Sequence, residues 1–381
     1  MNLRGFDFVI ISSIDWDFLW QRHQTFASGL AQRGARVFFI ENTGFRNIKL
    51  SDLNRILLRV KNILLGVTPK RINPISKNIE IISPLVLPPV GSLNVLLNRH
   101  FFVPYLIKKI KKRNLKKNLV IITYLPTITS IEIIKRLEPA LVIYDCVANF
   151  ESHPDVPKNY KSIERELLRL SDLILTDSDF LYEKIKRMHS RVEQIHHGVD
   201  FNLFRKADNE IIDKKKICYF GAISQHIDWK IIKNIAEAGY KVFLYGANLI
   251  QQSSANNIFI EGPFSQEILI DKIKDCAAII LPYKTDTNWM KGVIPAKIYE
   301  CLATGMPILS TPLENYSDKI KKVIYLCNTP EEFIKTLENL DNLETQRKRE
   351  VRINIARRQY REVNFNKLID IITHEFFKKE I

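Results

Sequence analysis

Short apolar runs rich in Val, Ile, Leu and Phe alternate along almost the whole chain with stretches of helical periodicity, and few folds accept that order. Residues 6–12 read as a strand, 21–33 as a helix and 36–41 as a strand again. The runs 119–124, 141–145, 173–176 and 192–195 continue the series. A second series follows at 217–221, 242–245, 258–261, 278–282 and 308–310, with helices near 229–238, 266–275 and 296–304. Thr329-Pro330-Glu331-Glu332 reads as a capping box that opens another helix. Strands of this kind suit a parallel sheet covered by helices on both faces. The chain is therefore expected to be α/β, with two doubly wound halves.

Its 381 residues agree with two domains. The polar stretch 206–215 marks the expected boundary, giving domains at 1–205 and 206–345. A charged helical tail at 346–381 follows, and a return to the first domain is one course open to it. No heptad or longer repeat persists, and no apolar run reaches the ~18 residues of a membrane span. The charged N-terminus around Phe8 to Ile11 reads as a strand rather than a signal peptide. Five cysteines stand singly, which fits a reducing cytoplasm and offers no zinc or redox pair.

The formal charge of +15 is uneven. Residues 49–117 hold 15 basic side chains against two acidic ones, Asp52 and Glu80. Leu53, Ile56, Leu57, Val60, Ile63 and Leu64 form a helical stripe bordered by Arg55, Arg59 and Lys61. A second segment sets Phe101, Phe102, Tyr105, Leu106 and Ile107 beside seven cations between Lys108 and Lys117. An anionic membrane attracts such flanks at about 1 kcal/mol per basic residue. Core helices with a solvated charged face are the other reading.

In doubly wound sheets ligands bind beyond the carboxyl ends of the strands. Between Pro295 and Pro307 one such junction stands out. Pro295 is expected to open a helix whose free N–H groups suit an anion, with Lys297 one turn in. Glu300, three residues on, suits a ribose, whose two neighbouring hydroxyls a carboxylate can accept from. Gly305 and Pro307 end the helix. An ordinary surface Lys–Glu pair is the plainer alternative.

The chain resembles GT-B-fold glycosyltransferases of bacterial surface-polysaccharide synthesis, in the glycogen-synthase-like group and nearest the xanthan glucuronosyltransferase branch. Trp20-Gln21-Arg22-His23-Gln24 stands where that branch has Trp-x-Arg-Pro-Gln. Tyr144-Asp145-Cys146, Asp177-Ser178, His197-Gly198-Val199-Asp200-Phe201 and Phe204 follow in order. Tyr219-Phe220-Gly221-Ala222, Leu281-Pro282-Tyr283 and Pro295 to Pro307 complete the set. The resemblance implies two Rossmann-like domains with an interdomain cleft and a nucleotide-sugar donor on the second, a UDP-sugar ahead of a GDP-sugar. It casts Lys297 as diphosphate ligand, Glu300 as ribose carboxylate, and Gly221, Ala222, Tyr283 and Pro295 as donor contacts. Arg22, His197 and Asp200 become cleft contacts. Two departures, Gly292 for an acidic residue and Ala222 for Arg, favour an inverting reaction.

Inverting transfer needs a general base. Asp145, at the end of a strand, is the first choice and Asp15 the second, with His196 and His197 behind them. Asp15-Trp16-Asp17 and Asp177-Ser178-Asp179 are read as structural, and neither a metal nor a cofactor is expected. The resulting expectation is a cytoplasmic enzyme, peripheral to the inner face of the membrane through 49–117. It transfers a sugar to a hydroxyl of a lipid-linked or oligosaccharide acceptor. A nucleotide-sugar 2-epimerase of the same fold is the rival enzyme. A nucleic-acid-binding protein is the rival non-enzyme, disfavoured because few aromatics interleave the basic block.

Overall fold

A computed structural model describes residues 2–18, 20–44, 71, 73–87, 91–152, 156–196, 198–208, 212–285, 295 and 297–380. The stripe at 53–64, His197 and Gly292 lie outside the described residues. The chain forms two compact units, Met1–Ile195 with Phe365–Ile381, and His196–Asn364.

In the first unit the strands are β1 (Phe6–Ile11), β2 (Arg36–Ile40), β3 (Ile79–Ile82), β4 (Asn118–Thr123), β5 (Leu141–Cys146), β6 (Leu173–Thr176) and β7 (Val192–Gln194). They form one sheet in the order β3-β2-β1-β4-β5-β6-β7, and every pairing is parallel. All six residues of β1 are buried because both faces are covered. Phe6, Phe8 and Ile10 pack with Phe26 and Leu30 of the helix Arg22–Gln32 and with Leu368 and Ile372 of the helix Arg361–Glu380. Val9 and Ile11 face Val103, Ile107, Ile131 and Leu167 on the other side. Gly29 makes room for the terminal helix, since a Cβ there would lie 2.6 Å from the Phe365 ring.

The second unit contains β8 (Asp213–Phe220), β9 (Lys241–Tyr245), β10 (Ile258–Glu261), β11 (Cys276–Leu281), β12 (Ile308–Ser310) and β13 (Tyr325–Leu326). Its order is β10-β9-β8-β11-β12-β13, again with parallel pairings. The helix Pro330–Glu338 starts as expected, with Thr329 Oγ1 accepting from Glu332 N at 3.3 Å. The Glu332 carboxylate, however, accepts from Asn328 N, one residue before the reciprocal position.

The units divide at Ile195/His196, not within 206–215. The physical reason is local. Asp200 caps the helix Phe201–Phe204, Phe204 is fully buried beside Phe220, and Arg205 donates to Thr304 O at 3.0 Å. Arg205 also pairs with Asp208, so charges that look like a linker are spent within the second unit. Among the described residues no helix is long and apolar enough to cross a membrane.

Candidate functional site

At the carboxyl end of β8 the chain turns through Gly221, which has φ +119° and donates its N–H to Tyr245 O at 2.8 Å. Glycine suits that φ, which L side chains rarely adopt, and its bare Cα leaves the space into which the Lys297 ammonium reaches, a space that a Cβ would take. Gly246 follows β9 in the same way. A Cβ on it would meet Gly221 O at 1.9 Å, so two glycine turns stack directly on each other. The outcome is an ammonium resting on bare backbone at the strand-end edge of a parallel sheet.

Two tyrosines hold that ammonium in place. Lys297 Nζ donates to Tyr219 Oη at 2.8 Å, and Tyr219 Oη donates to Ala222 O at 2.8 Å. Lys297 Nζ also lies 4.0 Å from the Tyr219 ring centroid and 6.0 Å from that of Tyr283, within cation–π range. Tyr283 is buried, and burial followed by the neighbouring Tyr219 holds its hydroxyl well above its ordinary pKa. Its ring is therefore neutral at any physiological pH.

The helix at this junction is Ile298–Thr304, shorter than expected. Lys297 is its N-cap rather than a residue one turn in, and Pro295 does not open it. Pro295 O instead accepts from Ile298 N at 2.9 Å, closing a turn ahead of the helix, whose first i→i+4 bond runs from Cys301 N to Lys297 O. Gly305 ends the helix in the left-handed conformation, as expected. Glu300 lies in its first turn, half-exposed, and accepts from Gln266 Nε2 at 3.1 Å. Lys297 and Glu300 act on the same buried thiol, Cys301. Burial pushes its pKa up, Lys297 draws it down and Glu300 adds to the rise.

Gly221, Ala222, Tyr283, Lys297 and Glu300 thus fall at one end of the second sheet. Asp200 serves as a helix cap through Leu203 N. Gly246, Tyr219 and Gln266 escaped notice as site residues. Leu244-Tyr245-Gly246 repeats the strand-then-glycine pattern of Tyr219-Phe220-Gly221, which was the available signal for the first of them.

The strand ends of the first unit carry a different arrangement. Arg22 Nε donates to Asp145 Oδ2 at 2.6 Å with both side chains fully buried, and Arg22 Nη1 donates to Ile195 O at 2.5 Å. Burial lowers the Arg22 pKa, but the charge and hydrogen bond of Asp145 outweigh it and leave it raised. The His23 ring lies 3.8 Å from that of Tyr124, with Nε2 at 2.8 Å from Ser13 Oγ. Asp15 is half-buried in the loop after β1. Asp17 accepts from Asn73 N at 3.0 Å and pairs with Arg71, while Asp179 accepts from Gln194. Ser178, between the two aspartates, is the true cap of the helix Asp179–Lys186.

No family model matches the chain. It is 26% identical over 251 residues to the Bacillus subtilis (strain 168) protein named "Putative teichuronic acid biosynthesis glycosyltransferase TuaH". The match takes in 57% of this chain and 63% of that relative's length. Among solved structures, sucrose-phosphate synthase from Thermosynechococcus elongatus superposes with a TM-score of 0.68 at 11% identity, covering 98% of this chain and 99% of its own. The pneumococcal O-GlcNAc transferase GtfA, solved with UDP and GlcNAc, gives 0.61 at 10% identity over 97% and 99%. The chain has the GT-B fold, with two Rossmann-like units. The resemblance to surface-polysaccharide glycosyltransferases read from the motifs is borne out by these likenesses.

Proposed function

We propose that the protein is a glycosyltransferase moving a sugar from a nucleotide-diphosphate donor, a UDP-sugar first, to a hydroxyl of a lipid-linked glycan in bacterial surface-polymer synthesis. The observation that carries this reading is Lys297 Nζ seated on Gly221, with Glu300 in the first turn of the helix that Lys297 caps. A fixed cation on open backbone suits a diphosphate, and a carboxylate beside it suits the ribose. UDP bound by the pneumococcal neighbour supports the choice of base.

In the reaction, the bond from the anomeric carbon to the phosphate oxygen breaks as the acceptor oxygen forms its own bond to that carbon. Lys297 stabilises the departing diphosphate. A carboxylate takes the acceptor proton. Asp145 spends its charge on Arg22 behind full burial, so the base is assigned to Asp15, which keeps access to solvent. Both bonds exchanged belong to the two substrates, so the reaction calls for no cofactor. A lipid-linked acceptor puts the enzyme on the inner face of the cell membrane.

The test is release of UDP from UDP-sugars by the purified chain, with and without a glycolipid extract. Release that depends on the extract, with label entering lipid, supports the reading. Conversion of the donor to an epimer without acceptor overturns it, as does the absence of both activities across UDP-, GDP-, ADP-, CDP- and dTDP-sugars.

A further inference from the structure

Residues 92–111 form three consecutive helical pieces, Ser92–Leu97, a wide π turn Asn98–Phe102, and Val103–Lys111. Their inner side is anchored: Val103, Leu106, Ile107 and Ile110 enter the core, and the buried Asn98 side chain bonds both the N–H and the carbonyl of Leu87. Leu106 and Ile107 are thus core residues, as the core-helix reading of this segment has it, while Phe101 and Tyr105 stay exposed. The extra residue in the π turn shifts the register and brings Phe101 and Tyr105 round to the solvent side with Leu93 and Leu96. Leu93, Phe101 and Tyr105, at 66%, 65% and 62% exposure, are the most exposed large apolar side chains among the described residues. Leu96 adds 53%.

Charge lies along the same segment. No acidic residue occurs between 92 and 117. Arg99 is taken by Glu132 and Arg113 by Glu80, and Lys116 lies against Asp7. Lys108, Lys109, Lys111, Lys112 and Lys117 are exposed, and no ion pair among the described residues engages them.

We infer that this ridge docks on an anionic phospholipid bilayer, an inference that rests on the proposed lipid-linked acceptor. An apolar ridge is disfavoured in water and a block of lysines repels itself. One surface relieves both, with Leu93, Leu96, Phe101 and Tyr105 at the acyl boundary and the lysines among the headgroups. A second copy of the chain would bring lysine block near lysine block, and a nucleic acid would find two leucines where stacking needs aromatic faces.

The experiment is co-sedimentation of the full chain with phosphatidylcholine vesicles, with and without phosphatidylglycerol. The comparison proteins are the L93S/L96S/F101S/Y105S variant and K108E/K109E/K111E/K112E. The native chain is expected to bind only the anionic vesicles, and each variant to lose roughly tenfold or more in partition. Equal binding to both vesicle types, ridge-variant binding equal to native, or self-association abolished by the ridge variant would each overturn the inference. UDP thermal shifts on the same three proteins separate the two readings. Retained shifts with failed vesicle binding sink the docking surface alone, while absent shifts with sound vesicle binding sink the donor site alone.

Discussion

Each sheet of this protein presents a cation and a carboxylate at its carboxyl-end edge, and the two pairs differ in burial and in what they are bonded to. In the first unit Arg22 and Asp145 are fully buried and bonded to each other. In the second, Lys297 is bonded to a tyrosine hydroxyl, Glu300 to a glutamine amide, and both stay half-exposed beside a glycine turn. A sealed pair has spent its charge on the fold. A half-exposed pair keeps its charged atoms within reach of solvent. Position at a strand end is thus insufficient to mark a functional residue; what the side chain already holds decides.

Substitutions at the two pairs separate a role in stability from a role in binding. Asp145→Ala leaves the Arg22 guanidinium buried without its counter-charge and is expected to cost about 3–5 kcal/mol in urea unfolding. Replacing the pair together, Arg22→Met with Asp145→Leu, should recover most of that loss. A loss below about 1 kcal/mol for the single variant would mean the pair is not sealed. Lys297→Ala should do the reverse, leaving stability within about 1 kcal/mol while weakening UDP binding roughly tenfold to a hundredfold by calorimetry. Tyr219→Phe removes the hydroxyl that positions the ammonium and should weaken UDP roughly fivefold, the worth of about 1 kcal/mol. Unchanged affinity there would show that the ring alone suffices.

Glu151 provides a half-exposed control outside both pairs. Its carboxyl titrates below the ordinary range because Lys161 and then Lys184 bond to it. A depressed folded-state pKa adds stability above the unfolded value, and that contribution disappears as pH falls through the folded value. Glu151→Gln should therefore cost less than about 1 kcal/mol at neutral pH, and the two unfolding curves should converge in acid.

Most strands are legible because burial on both faces leaves a run of apolar residues, as in β11 and, after Asp7, in β1. The edge strands β3 and β13 are not. Glu80 interrupts one, and the other is two residues long with Leu326 partly exposed. The Lys297/Glu300 spacing and the cap at Gly305 could be read locally. The partners that give those residues meaning could not, since Tyr219 lies 78 positions from Lys297 and Arg22 lies 123 from Asp145. The sequence puts Asp145 first as a base because a strand-end carboxylate looks the same whether or not the fold brings an arginine to it. In the polar stretch 206–215, Asp208 pairs with Arg205 and Arg349 of its own unit, partners that the local sequence does not reveal.

In the proposed function, the Gly221–Lys297–Glu300 edge grips a nucleoside diphosphate. Calorimetric titration of UDP into the native chain and into Lys297→Ala tests it most directly. Saturable one-site binding is expected, weakening at least roughly tenfold in the variant while stability stays within about 1 kcal/mol of native. Equal affinity in the two proteins would contradict it.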